Sequence, residues 1–348
     1  MTRFLGILAA VAALACPATA AARERDVPQP GPLPSNAALD KAAFTVVDGG
    51  MRTARAGDSG VRRYATSDGY QVAVQASPSY PVDPAADQKL VDFLASRAHG
   101  SELGDLSVYV GTPGEIVQIC GGDPQVVACY AISEQRMFVP GESVHGVPVE
   151  YALTHEYGHH IALWRSNSPW DALDWGPKYW SSEMNVCQGV RRHQLFPGNQ
   201  GSHYWDDPGE GFAEGYAHMH YPGTAWYYNR LLRPHARAYT AIKRDVLQPW
   251  TGPRVRTFRG RVNPRHPKRT FHIRLHLDGD LAMRLTAPRG TVYSVQAEIP
   301  DFAAGRRLHG GGDFGVEWCR HRRVDRIKLT VTRRKGSGPF ALRVSWPG

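Results

Sequence analysis

The chain of 348 residues changes its hydrophobic pattern near residue 251, so two separate cores are expected rather than one. Upstream, helical and strand patterns mix. Residues 70 to 74 alternate like a strand, 84 to 98 place Leu90, Phe93 and Leu94 on one helical face, and 106 to 110 suit a second strand. A hairpin is expected over 120 to 139, and helices over 147 to 164, 208 to 219 and 234 to 247; Pro208 and Glu210 are favourable start signals for the second of these. Downstream, Phe271, Ile273, Leu275 and Leu277 alternate with polar residues, and Leu281, Met283 and Leu285 do so again beyond Asp278-Gly279, which reads as a β-hairpin. Ile327, Leu329 and Val331 repeat the alternation, as do Phe340, Leu342, Val344 and Trp346. The predicted fold is therefore α+β over residues 67 to 250, followed by an antiparallel β-sandwich over 251 to 348.

Charge divides at the same place. Residues 251 to 348 hold 21 basic against 7 acidic residues, a net +14, and the remainder holds 20 against 25, a net −5. An anionic polymer or a cell-envelope surface is the partner such a field would attract. Of the 41 basic residues 34 are Arg, a habit of GC-rich genomes that weakens any inference to nucleic acid. With 42% hydrophobic and 21% charged residues the chain is neither disordered nor fibrous. No stable oligomer is expected.

Residues 1 to 22 read as a cleaved secretory signal: Arg3 leads an apolar stretch over 4 to 15, with small residues at Ala18, Thr19, Ala20, Ala21 and Ala22. A lipid anchor on Cys16 is the competing reading, disfavoured by Ala13 where such signals carry Leu. Residues 23 to 66, rich in Pro, Gly, Ala and Arg, read as a linker or propeptide-like lead-in. Export leaves Cys120, Cys129, Cys187 and Cys319 in an oxidising compartment. Turn residues 121 to 124 favour a bridge between Cys120 and Cys129, with Cys187 and Cys319 pairing by elimination.

The chemistry centres on His155-Glu156-Tyr157-Gly158-His159. Two His four positions apart project from one face of a helix and can reach one cation, while Glu156 can touch a water on it. This is the HExxH arrangement of zinc hydrolases, so Zn2+ is the expected cofactor and Glu156 the expected general base. A catalytic zinc takes a third protein ligand. Ala162 and Arg165 stand where metzincins carry Gly and His, Lys178 stands at the Glu position of aminopeptidase-type gluzincins, and Gly223-Thr224-Ala225-Trp226 lacks the Asp of aspzincins.

Glu210-Gly211-Phe212-Ala213-Glu214, about fifty residues after the His pair, resembles the ExFAE element of the gluzincin pattern found in anthrax lethal factor and related secreted peptidases. The resemblance implies a secreted peptidase in which Glu210 is the third zinc ligand and Tyr204 a donor to the oxyanion, with His203 competing for that role. Glu214, one turn on, suits a carboxylate accepting from a ligand His, and Glu183 is the reserve ligand. His160, His218 and His220 read as packing or surface residues, and the aromatics Trp164, Trp170, Trp175, Tyr179 and Trp180 as core or cleft lining. The rival reading is a secreted binding protein that holds an anionic polymer through its basic module, with an idle metal domain.

Overall fold

A computed structural model describes residues 23–33, 42–47, 60–299 and 302–348. The expected signal over residues 1 to 22 lies outside the described residues. Strands β1 (Ala43–Val47), β2 (Arg62–Ala65) and β3 (Gln71–Ala76) precede helix α1 (Pro84–Ala95) and β4 (Ser107–Gly111). Next come α2 (Pro113–Ile119), β5 (Val126–Ala131), β6 (Arg136–Pro140) and the long α3 (Val149–Leu163). Short helices α4 (Ala172–Trp175), α5 (Lys178–Glu183) and α6 (Val186–Arg191) lead to α7 (Pro208–His220) and α8 (Ala236–Leu247).

The first six strands form one mixed sheet in the order β1-β5-β6-β4-β3-β2. Two strands fall inside the stretch read as a linker. β1 pairs in parallel with β5, and β2 pairs with β3, so residues 43 to 47 and 62 to 65 belong to the sheet and that reading is corrected for them. Neither AFTVV nor RRYA alternates apolar with polar residues, and the partner of β1 lies some eighty residues away. One sheet face, with Val72, Val108, Tyr130 and Met137, packs on α1 and α3 in a single core that continues through Phe212 and Tyr216 of α7 and Ile242 of α8. The other face, with Tyr109, Cys129 and Phe138, packs on Ile116 of α2.

Local chemistry fixes the helix starts. Asp83 accepts the N–H groups of Ala85 and Ala86 and is followed by Pro84, whose ring suits the first helical turn. Thr112 and Glu115 form a reciprocal capping box on α2. Cys120 therefore ends a helix rather than a strand; it bonds Cys129 of β5, with the Cα atoms 5.8 Å apart. The predicted bridge is present, but the two-strand turn invoked for it is not. α3 is buried on nearly all sides, its polar residues Thr154, His155, Glu156, His159 and His160 included. It packs closely on α7 because Gly158 carries no side chain: a Cβ there would lie 2.7 Å from Ala213 Cα. That close approach brings the two site-bearing helices together.

The remaining strands are β7 (Arg254–Val262), β8 (Lys268–Leu275), β9 (Gly279–Thr286), β10 (Val292–Ile299), β11 (Phe302–His309), β12 (Gly311–Trp318), β13 (Asp325–Lys335) and β14 (Gly338–Trp346). They form two antiparallel sheets in the orders β11-β10-β13-β8 and β12-β9-β14-β7, around a second core containing Trp318, Leu329 and Leu342. Such sharing of successive strands between two sheets is jelly-roll topology. The hairpin expected across Asp278-Gly279 does not form: β8 pairs with β13, while β9 pairs with β12 and β14. Alternation reports which side chains are buried, not which strand lies alongside.

The jelly roll is fastened to the helices. Cys187 of α6 bonds Cys319 across 132 residues, Trp170 Nε1 donates to Glu317 at 2.6 Å, and the Nζ of buried Lys178 donates to the carbonyl of Asp278 at 2.9 Å. Arg320 donates to the carbonyls of Ser182 and His276.

Candidate metal centre

The two His of α3 and the first Glu of α7 converge. One ligand atom from each of His155, His159 and Glu210 lies within 4.8 Å of the others, and all three residues are buried. Glu210 Oε2 is 3.3 Å from His155 Nε2 and 3.4 Å from His159 Nε2. Asp207 caps α7 and Pro208 opens it, which places Glu210 in the first turn beneath the His pair. Glu214, one turn on, reaches His155 Nδ1 at 3.0 Å and accepts from Tyr151 at 2.5 Å. His155 thus has a carboxylate on each ring nitrogen.

Electrostatics follow the geometry. Burial alone would pull His155 down, but hydrogen bonds to Glu210 and Glu214 outweigh it and hold the imidazole at about 10. Burial raises Glu210, yet the neighbouring His159 and His155 bring it down to about 2. His159 is pulled below its ordinary value, chiefly by burial. Glu156 is pushed well above the carboxylate range by burial, against the opposing influence of His155.

These residues fit a bound cation. Both carboxylate oxygens of Glu156 and the Nδ1 of His159 are buried with no hydrogen-bond partner among the described residues, a costly arrangement unless something else supplies the missing interactions. Two imidazoles and a carboxylate are a donor set for a divalent metal. A cavity of ≈ 110 Å³ lined by His159, Gln200 and Asp207 adjoins the centre.

Tyr204 is at the site. Its hydroxyl lies 3.3 Å from Glu210 Oε2 and 2.8 Å from the hydroxyl of Tyr228. His203, its competitor, points elsewhere, with its ring stacked on Phe196 and Nδ1 at 3.3 Å from Asp206. Glu183 is not near the His pair; it accepts from Arg237 at 2.6 Å, so the reserve ligand is withdrawn. Its helix, α5, packs on α8 and meets the jelly roll through Lys178 and Ser182. His160 packs between the hydroxyl of Tyr130 and the carbonyl of Glu102, and His218 between Tyr239 and the carbonyl of Thr224. Trp180 is core, and Trp170 stacks on Trp175.

Sequence reasoning missed Phe44, Gln200 and Tyr228. The ring of Phe44 stacks on His155 at 4.1 Å, and Gln200 Nε2 donates to Glu210 Oε1 at 2.8 Å. None of the three stands at a helical spacing from the motif, so no local signal marks them.

No family model matches the chain, and no curated protein matches it. Among solved structures, the crystal structure of Yersinia pseudotuberculosis-derived mitogen is similar at 10% identity, over 27% of this chain and 86% of that one, with a TM-score of 0.20. A de novo designed double-stranded β-helix is similar at 18% identity, over 26% of this chain and 95% of that one, with a TM-score of 0.16. Likenesses this weak carry no functional argument.

Proposed function

We propose that the protein is an exported zinc peptidase of gluzincin type. The observation that carries this reading is the Glu156 carboxylate, buried and unpartnered beside the convergent His155, His159 and Glu210. A site built only to hold a metal through these three residues has no use for an uncommitted carboxyl group on a fourth. His155, His159 and Glu210 would hold the zinc, with Glu214 orienting His155 through Nδ1. When bound, zinc lowers the pKa of water and polarises a peptide carbonyl. Glu156 takes one proton from the water that adds to the carbonyl carbon and delivers it to the nitrogen as the C–N bond breaks, releasing an acid and an amine. The Tyr204 hydroxyl is the donor for the oxygen that gains charge. Export is supported by the leader pattern and by two disulfides, which suit an oxidising compartment. Among the described residues no helix is long and apolar enough to cross a membrane.

Two substitutions test the reading. Glu156→Gln keeps every ligand, so zinc content stays at the native level while turnover of a generic protein substrate falls about 10²- to 10⁴-fold. Glu210→Gln instead lowers zinc content, because a neutral amide is a poorer ligand than a carboxylate. Full activity in Glu156→Gln would exclude the HExxH helix as the catalytic centre.

A further inference from the structure

The cavity that adjoins the site as folded, ≈ 110 Å³ beside His159 and walled in part by Val46, is far smaller than the roughly 300 Å³ or more of an ordinary ligand pocket. His155, Glu156, His159 and Glu210 are each 0% exposed. An extended peptide needs a larger opening than this, and α3 and α7, packed closely at Gly158 and Ala213, hold the site residues together rather than cover them. What lies over them is β1. This strand is the outermost of its sheet, hydrogen-bonded within the sheet to β5 alone. Ala43 N–H donates to the carbonyl of Gln125, and Ile132 N–H donates to the carbonyl of Val47. The opposite edge of the strand faces the chemistry: Phe44 N–H donates to the Tyr204 hydroxyl at 2.9 Å, and Val46 N–H reaches Gln200 Oε1 at 3.4 Å. Gln200 in turn holds Glu210, and the Phe44 ring covers His155.

We infer that β1 is a resident occupant of the edge where an extended peptide docks, and that the protein closes its own site with residues 42 to 47. The strand engages what a peptide added to β5 would need: the main-chain groups of that edge, the Tyr204 hydroxyl, and the face of His155. A peptide and β1 therefore exclude each other, and displacement of β1 opens the centre. The identity of the competing ligand rests on the peptidase reading; the closure itself does not.

Accessibility of the two His in the full exported chain tests this without catalysis. The metal-stripped protein is treated with diethylpyrocarbonate and the modified histidines are located by mass spectrometry. In the native chain His155 and His159 stay unmodified while exposed His266 and His309 react. Phe44→Ala takes the ring off His155, and Thr45→Pro interrupts the strand at its centre. In both, His155 and His159 become modified about tenfold faster or more, as expected when a local opening is made easier. His160, buried against Tyr130 and Glu102, stays protected and reports an intact fold. Should Thr45→Pro expose His160 as well, Phe44→Ala, which keeps the backbone, decides. Equal rates for His155 and His159 in the native chain and Phe44→Ala would overturn the inference. With zinc restored, increased turnover in the variants supports a peptide as the competitor. Faster modification with no peptidase activity in any form removes the peptidase reading and leaves the closure standing.

Discussion

His155 and His159 stand one turn apart on the same helix, yet among the described residues only His155 has a partner on its second ring nitrogen. Glu214 falls one turn beyond Glu210 on α7 and meets His155 Nδ1, whereas His159 Nδ1 is buried with none. Orientation of the pair therefore depends on one carboxylate. Glu214→Gln is expected to weaken zinc binding about 10- to 100-fold while leaving the three ligands in place. Competition against a chelator of known affinity measures it, and an unchanged affinity would show that Glu214 does not position His155. At this scale His155, Glu156 and His159 could be picked out beforehand because helical periodicity projects spacing into space, whereas Glu210, and with it Glu214 one turn on, entered through the resemblance of the ExFAE element. Tyr204 needed a family resemblance as well, and Phe44, Gln200 and Tyr228 were out of reach, since each arrives from a strand or loop whose position local patterns do not encode.

Helix ends divide in the same way. α1, α2 and α7 are capped by the residue just before them, a signal carried by the local sequence. α5 follows Pro177, which offers no cap, and its first N–H groups are met from α8: Asp245 accepts from Tyr179 at 3.0 Å and Trp180 at 2.8 Å. Burial pushes the Asp245 carboxyl up to about 7, against those two hydrogen bonds. Because the folded value lies above the unfolded one, the group's contribution to stability is complete below about pH 4 and is lost as pH rises through 7. Asp245→Asn should be less stable than the native chain, with a gap that narrows from pH 4 to pH 8. Thermal unfolding across that range gives the answer. A gap that widens with pH would mean that the buried carboxyl is ionised in the folded state throughout.

At the scale of the molecule, two cores are joined by a covalent staple and a few buried polar contacts. Cys187–Cys319 closes a long loop, so Cys187→Ser with Cys319→Ser should cost about 2–4 kcal/mol in chemical denaturation. A loss well under that would assign the junction to Lys178, Arg320 and their carbonyl partners instead. The jelly roll also presents a basic margin. β7 and β8 end their respective sheets, and Arg256, Arg259, Arg261, Lys268, Arg269 and Arg274 are exposed along them. No acidic residue occurs between positions 251 and 277. We propose this margin as the surface for an anionic polymer. Charge reversal at Arg259 and Arg261 should weaken salt-sensitive retention on a polyanion column, an effect strongest below about 0.1 M salt. Retention unaffected by these changes would leave the charge as a compositional habit.

The sequence alone determined what depends on near neighbours along the chain: the helices of the site, the His pair with Glu156 between them, the alternation of the jelly-roll strands, and the division near residue 251. Tertiary structure decided what depends on distant partners. It placed residues 43 to 47 at the edge of the mixed sheet, parted β8 from β9, capped α5 from α8, and set Phe44 over His155. The reason is common to all of these. Periodicity and capping record how a residue relates to its own element, but strand pairing and burial against a remote segment are selected by the energy of the whole packed core, to which a five-residue stretch such as Ala43–Val47 contributes no pattern of its own.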